Sequence, residues 1–282
     1  MMSRLWVVLA CVLHIGAGYA ATDASPAPAS LTFGVVPQQS ASTLAQLWTP
    51  ILQYLSKQTG YSLPFKTAPD IPEFERRLAA GEYDLAYMNP YHYTVFHRSP
   101  GYQAFAREKD RRIQGILVVR KDSPYQRPED LAGQTLVFPA PAAFAASVLP
   151  RASLTRQGIA FTAKYVASHD SVYLAVAKGL YPAGGGIKRT FDTIAPETRD
   201  QLRILWTTDA YTPHAIAAHP RVPAEVVRKV QEAMTAMHQD PQGRALLEAI
   251  GFQGIAPAQD AEWDDIRALG ITELDQPTPN SP

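Results

Sequence analysis

Four short polar stretches carry the residue types able to do chemistry, and each lies between an apolar segment and a helical pattern. They are Gln38 to Thr43 (QQSAST), Asn89-Pro90-Tyr91, Pro139 to Ser147, and Ser168 to Ser171 (SHDS). Helix N-termini present unpaired N–H groups and a partial positive charge, so two or more such ends facing one cleft form an oxyanion site without an arginine cluster. From the first junction Gln39 and Ser40 are candidate ligand contacts. Taken singly, Ser40, Ser42, Ser168 and Asp170 read better as helix caps; only four junctions of one type together point to a site. The second junction lies within Asp84 to Tyr93 (DLAYMNPYHY), where the apolar strand Leu85 to Met88 runs into Asn89-Pro90. That change places Tyr87, Asn89, Tyr91 and Tyr93 at a strand's carboxyl end, where open α/β sheets bind ligands. Asparagine and tyrosine orient a small polar solute without charges of their own; a structural turn with buried aromatics is the competing reading.

Other chemistries are excluded by pattern. His169-Asp170 is the nearest thing to a catalytic pair, but adjacent residues rarely point at each other, and no serine or cysteine has the setting of an activated nucleophile. The seven histidines show no HxH or HxxxH spacing, so neither a metal nor any other cofactor is expected. Gly184-Gly185-Gly186 lacks the Lys-Ser/Thr of a phosphate loop. A triple glycine at a strand edge permits close backbone approach, either to a ligand or to another lobe. Lys188 and Arg189 just beyond it are candidate anion partners or solvated charges.

The elements that must position these residues alternate. Strands are expected at Leu31–Val36, Tyr61–Lys66, Leu85–Met88, Ile113–Arg120, Thr135–Phe138, Ala163–Ala167, Gly185–Phe191, Arg203–Thr207 and Ala215–Ala218. Between them, helical patterns cover Leu44–Leu55, Ile71–Ala80, Ala142–Gln157 and Val172–Lys178, with kinks expected at Pro50 and Pro150. The carboxyl third is helical, with Val226, Val227, Val230, Met234 and Met237 on one stripe. Alternation of this length means mixed sheets covered by helices. Two lobes are expected: residues 31–115 with 216–275, and 116–215. The chain crosses near 115–122 and 208–216, leaving a ligand cleft between the lobes.

Residues 1–20 have the pattern of a secretory signal peptide, with Arg4, the apolar run Leu5 to Ile15, and small residues before a cleavage point after Ala20. That reading is favoured over lipidation of Cys11, whose preceding apolar stretch is brief. Residues 21–30 and 276–282 are Pro-rich and read as a disordered leader and tail. Cys11 is the sole cysteine, so the exported chain has neither disulfides nor thiol chemistry and relies on the core that 46% apolar content supplies. The formal charge is zero, which argues against nucleic acid and anionic membrane surfaces as partners. A monomeric periplasmic protein is expected.

From about Leu31 to Ile271 the chain resembles the periplasmic solute-binding proteins of the phosphate, phosphite and phosphonate ABC transporter group, which have the two-lobed type II periplasmic binding fold. The resemblance is carried by GVVPQQSASTLAQLWTPILQYLSKQTG, AAGEYDLAYMNPYHY, GILVVRKDSP with EDLAGQTLVFPAPAAFAAS, and SHDSVYLAVAKG. It implies an oxyanion held by Tyr87, Asn89 and Tyr91, by the stretch Ala142, Ala143, Phe144 to Ala146, and by His169 and Asp170. It also implies that the ligand is handed to an ABC permease or, in sensory relatives, that the protein docks on the periplasmic domain of a sensor kinase. An enzyme on the same fold would use His169 and Asp170 as acid and base. Two departures bear on the ligand. Where phosphonate binders have a Ser-Thr-Ser-Gly-like phrase this chain has Pro141-Ala142-Ala143-Phe144-Ala145-Ala146, and Ala183-Gly184-Gly185-Gly186 replaces an acidic strand. Both fit a smaller, different or less charged ligand.

Overall fold

The computed structural model describes residues 30–274. The expected signal peptide with Cys11, the leader up to residue 29 and the tail lie outside the described residues. The chain begins with β1 (Phe33–Val35), α1 (Ala41–Thr59), β2 (Phe65–Lys66), α2 (Ile71–Ala79), β3 (Leu85–Met88), α3 (Pro90–Arg98) and β4 (Gln103–Glu108). It then forms β5 (Ile113–Arg120), β6 (Thr135–Phe138), a π-helical turn at Phe144–Val148, α4 (Leu149–Arg156), β7 (Thr162–Tyr165), α5 (His169–Ala177), β8 (Ala183–Ile187), α6 (Lys188–Thr193), α7 (Pro196–Arg199) and β9 (Leu202–Tyr211). It ends with β10 (Ala215–Ala218), α8 (Ala224–Ala236), α9 (Pro241–Ala249), β11 (Ile255–Pro257) and α10 (Asp264–Arg267).

Two mixed sheets result, in the orders β11-β4-β10-β3-β1-β2 and β7-β6-β8-β5-β9. In the first, β1 pairs in parallel with β2 and β3, while β10 runs antiparallel between β3 and β4. Strands that are apolar along their whole length become central because both faces are covered: β3 and β10 are buried at every residue. Helix α1 covers the first sheet by burying Leu44, Trp48, Ile51, Leu52 and Leu55, starts on the Ser40 hydroxyl and stops at Gly60 in the left-handed conformation. It runs as one helix through Pro50, so it does not restart there; the packed apolar face outweighs one missing intrahelical hydrogen bond.

The lobe boundary differs from the expected one. Strand β5 lies wholly in the second sheet, between β8 and β9, and does not cross. The chain changes lobes in the four residues after Glu108, where Asp110 takes a φ of 54°, and again between Tyr211 and Ala215. Strand β4 was not anticipated, since its alternating QAFARE has a charged end that reads as loop. The strand expected at Gly185–Phe191 ends at Ile187, and Lys188 opens a helix. The helix expected from Ala142 begins instead as the π turn, and regular α-helix starts only at Leu149, next to Pro150.

That π turn explains the glycines. A Cβ on Gly185 would collide with the Ala146 carbonyl oxygen and lie 2.6 Å from the Phe138 ring, and one on Gly115 would collide with the Ala145 carbonyl. The triple glycine therefore sits on the interior strand β8, not at an edge. It admits backbone from its own lobe, not a ligand or the other lobe. Gly186 likewise leaves room for the Tyr173 ring, whose hydroxyl donates to the Ile187 carbonyl at 3.0 Å and accepts from the Ile187 amide at 3.1 Å.

Candidate functional site

The four polar junctions do converge, and they pair across the space between the lobes. The His169 amide, at the start of α5, donates to the Gln38 carbonyl at 2.9 Å. The Ser40 amide, at the cap of α1, donates to Asp170 Oδ2 at 3.3 Å. Asn89 caps α3 by accepting from the His92 amide at 2.8 Å, and its Nδ2 donates to the Ala142 carbonyl at 3.2 Å. Each contact joins one lobe to the other, so the lobes are closed on each other. Two helix-end donors that a bound anion could use, the Ser40 and His169 amides, are thus engaged by an acceptor from the facing lobe.

At the centre of this closure is Arg189, delivered by the first turn of α6. Its Nη1 donates to Glu108 Oε2 at 3.2 Å and its Nη2 to Gln38 Oε1 at 3.2 Å. The guanidinium carbon lies 5.8 Å from the Tyr87 ring centre and 5.2 Å from that of Phe252, a cation–π arrangement on two rings of the first lobe. Tyr87 in turn stacks on His214, with ring centres 4.8 Å apart and planes within 16°, and leans on Trp48 at 4.9 Å. The Tyr87 hydroxyl has no hydrogen-bond partner among the described residues. Burial pushes its pKa up to about 12 against the pull of Arg189.

The hydrogen bonds fix the His214 tautomer. Gln38 Oε1 accepts from Arg189, so the amide nitrogen of Gln38 is the group that meets His214 Nε2 at 2.8 Å. An amide nitrogen only donates, so Nε2 accepts and Nδ1 carries the proton. Burial, followed by Arg189, depresses the His214 pKa well below its ordinary value, which keeps the ring neutral. His169 is also neutral: burial first and Arg189 second lower it to about 3, and its Nδ1 shares a hydrogen bond with Thr190 Oγ1 at 3.0 Å. Burial raises the carboxyl of Glu108, opposed by Arg189 and Arg111. It raises Asp170 as well, opposed by the Ser40 amide.

Of the expected site residues, Gln39, Tyr87, Asn89, Ala142, Ala143, Phe144, His169, Asp170 and Arg189 border the interlobe space or bond across it. Ser40 caps α1 through its hydroxyl, which accepts from the Thr43 amide at 3.2 Å, while its amide meets Asp170. Tyr91 is a correction. It is the second residue of α3, and its hydroxyl accepts from the Leu274 amide at 2.8 Å, so it binds the carboxyl-terminal segment. The His169 ring bonds Thr190 in its own lobe while the Asp170 carboxylate accepts from the Ser40 amide of the other, so the two side chains do not pair with each other. Lys188 is exposed and paired with Asp192 at 2.8 Å. Sequence reasoning missed Glu108 and His214, which close the strand ends of β4 and precede β10. The one signal available was the Pro213-His214 step at the second crossing. Among the described residues no group of three or more His, Cys, Asp or Glu could hold a metal, and no helix is long and apolar enough to cross a membrane.

Two mixed α/β lobes joined by two crossings, with the polar strand ends facing one cleft, define a two-lobed binding protein of the type II periplasmic class. A sequence model of the family described as "ABC transporter, phosphonate, periplasmic substrate-binding protein" matches residues 33–263, and the chain belongs to that family. It is similar to the Phosphate-import protein PhnD of Mycolicibacterium smegmatis, 26% identical over 87% of this chain and 86% of that one. Among solved structures, it is similar to a binding protein component of an ABC phosphonate transporter from Pseudomonas aeruginosa. That match has a TM-score of 0.80 at 17% identity, over 88% and 87% of the two chains. PhnD1 from Prochlorococcus marinus in complex with methylphosphonate gives 0.78 at 17%, over 88% and 99%.

Proposed function

We propose that this protein captures a small oxyanion between its lobes and presents it to an ABC permease. The observation that carries the proposal is the largely buried guanidinium of Arg189, its side chain 15% exposed, set beside Tyr87 and the neutral His214 at the place where the lobes meet. Where relatives have a hydroxyl-rich phrase this chain has alanines, so the positive charge of Arg189 supplies attraction that the turn at Ala142–Ala146 lacks. Membership of the phosphonate-transport family supports the reading, as do the names of the relatives, one a phosphate importer and one in complex with methylphosphonate. Binding here is non-covalent: Arg189 and His214 meet the solute, Gln38 and Tyr87 hold those two side chains in place, and closure adds contacts that exist only when both lobes touch it. Export by cleavage after Ala20 and a monomeric state belong to the same proposal; amino-terminal sequencing and light scattering check them.

The test is a calorimetric and thermal-shift screen over phosphate, phosphite, methylphosphonate, aminoethylphosphonate, sulfate and arsenite. A ligand at a hundred times its dissociation constant stabilises the protein by about 2.7 kcal/mol. At roughly 2–4 °C per kcal/mol for a chain of this size, the midpoint then rises by several degrees. The expected result is such a rise with at least one of the six, lost in Arg189→Met. Silence from all six refutes oxyanion capture.

A further inference from the structure

The middle of the cleft, bordered by Val36, Gln38, Asn89, Ala143, His169 and His214, encloses about 10 Å³. That is room for about one water, and its second-lobe wall from Ala143 to Ala146 offers only carbon and backbone. Beside it, where the chain crosses between lobes, lies a chamber of about 410 Å³, a size typical of small-molecule sites. Both lobes build it: Glu108, Arg111 and Arg112 from the first crossing, Lys188 and Arg189 from α6, and His214 from the second crossing.

The charges in this chamber are unevenly matched. Arg112 is tied to Asp265 at 2.7 Å and Lys188 to Asp192 at 2.8 Å. Asp110, which also lines the chamber, has a side chain 73% exposed and 3.9 Å from Lys109, so Glu108 is left between two guanidiniums, 3.2 Å from Arg189 and 3.8 Å from Arg111. One carboxylate for two cations leaves a positive charge for a ligand to neutralise. Among the described residues one deeply buried donor also lacks a hydrogen-bond partner: His214 Nδ1, on a residue 2% exposed; the unpartnered Glu108 Oε1 is an acceptor and suits a donor on the ligand, not its oxyanion. The tautomer argument makes that Nδ1 a donor, suited to an anionic oxygen. Buried polar atoms without partners are uncommon in folded proteins and mark places that receive a ligand or solvent.

We propose that the chamber is a ligand site for an organic oxyanion, a substituted phosphonate or a phosphate monoester, with the oxyanion on Arg189, Arg111 and His214 and the carbon substituent filling the chamber. The inference rests on the oxyanion reading above and adds where the ligand sits and how large it is. Inorganic phosphate, phosphite and methylphosphonate leave most of the chamber unfilled and gain little from it.

The experiment is calorimetry on the exported chain with two probe sets: phenylphosphonate and glycerol 3-phosphate, against phosphate, phosphite and methylphosphonate. Two variants accompany it. Arg111→Ala removes the second guanidinium, whose side chain is 45% exposed, so the fold is retained. Ala210→Trp fills the chamber from its β9 wall and leaves every charged residue in the sequence. The expected result is tighter binding of at least one larger probe, weakened about tenfold by Arg111→Ala, the size of one lost charged hydrogen bond, and abolished by Ala210→Trp. If the small oxyanions bind more tightly and both variants leave every affinity unchanged, the chamber is refuted while oxyanion capture stands. If none of the five probes binds, the oxyanion reading falls and the chamber with it.

Discussion

Arg189→Met is the most informative perturbation of closure. Methionine keeps much of the stem's volume and removes the guanidinium, leaving Glu108, whose side chain is 5% exposed, with only Arg111 at 3.8 Å as a cation. Removing one partner of a buried ion pair costs about 3–5 kcal/mol, because the other charge stays buried. Unfolding is not needed to relieve it. Opening the lobes returns Glu108 to water, so the penalty falls on the closure equilibrium. About 3 kcal/mol is a factor of roughly 150, which turns a closed-to-open ratio of 99:1 into about an even mixture. Small-angle scattering should therefore show a larger radius of gyration for Arg189→Met than for the parent. Adding Glu108→Gln should restore most of the compaction, since a neutral amide tolerates burial better than a lone carboxylate. An Arg189→Met protein whose scattering curve matches the parent's would show that the pair contributes nothing to closure, and the argument would be wrong.

Three further outcomes are expected. Gly185→Ala, which drives a methyl against the Ala146 carbonyl and the Phe138 ring, should lower stability by about 1–3 kcal/mol in urea unfolding; no loss would mean that the π turn yields freely. The folded protein keeps His169 neutral down to about pH 3, whereas unfolded histidine titrates near 6.5. The unfolded chain thus takes up a proton that the folded chain refuses. Stability from this group is full above about pH 6.5 and falls with acidification by about 1.4 kcal/mol per pH unit. His169→Gln should flatten the dependence between pH 6 and pH 5 by that amount, and an unchanged slope would contradict it. Tyr91→Phe should cost about 1 kcal/mol by losing the bond from Leu274 and leave ligand affinity unchanged, whereas Tyr87→Phe should weaken binding with the fold intact.

The legible parts of the fold were those where one residue pattern permits one structure. Strands β3, β6 and β10 are short apolar runs bounded by turn residues, and their sequence limits match the observed ones within a residue or two. Strand β5 was recognisable as a strand but not by lobe. A continuous apolar run has the same composition whether it stays in one sheet or spans two, and the turn at Asp110 lies in a charged stretch, KDRR, that signals only exposure. The triple glycine announced close approach without saying from which side, since the approaching group, the π turn, is a backbone feature of an alanine-rich segment with no marker of its own. In the site, the helix-start donors at Ser40, Asn89 and His169 were visible because caps have local signatures. Glu108 and His214 were not, because a strand-end acid or histidine has no local pattern and acquires its role only when another lobe is folded against it.

The pairing of those helix ends bears on how the protein selects its ligand. A helix N-terminus attracts any anion, and a free pair of them would bind small oxyanions with little discrimination. Here the Asp170 carboxylate already occupies the α1 end through the Ser40 amide, and the Gln38 carbonyl occupies the α5 end through the His169 amide. An anion can take these donors only by displacing an acceptor that also holds the lobes together, so whatever it gains electrostatically is offset by lost closure. Arg189 also bridges the lobes, through Glu108 and Gln38, but it has further ties to the first lobe. Its donors meet Glu108 and Gln38 at 3.2 Å, longer than ordinary charge-assisted bonds, and its cation–π contacts persist whichever oxygen it bonds. A ligand oxygen that joins Glu108 on the guanidinium, without displacing it, keeps Arg189 anchored in the first lobe, so ligand capture and closure reinforce each other there, while at the helix ends they compete.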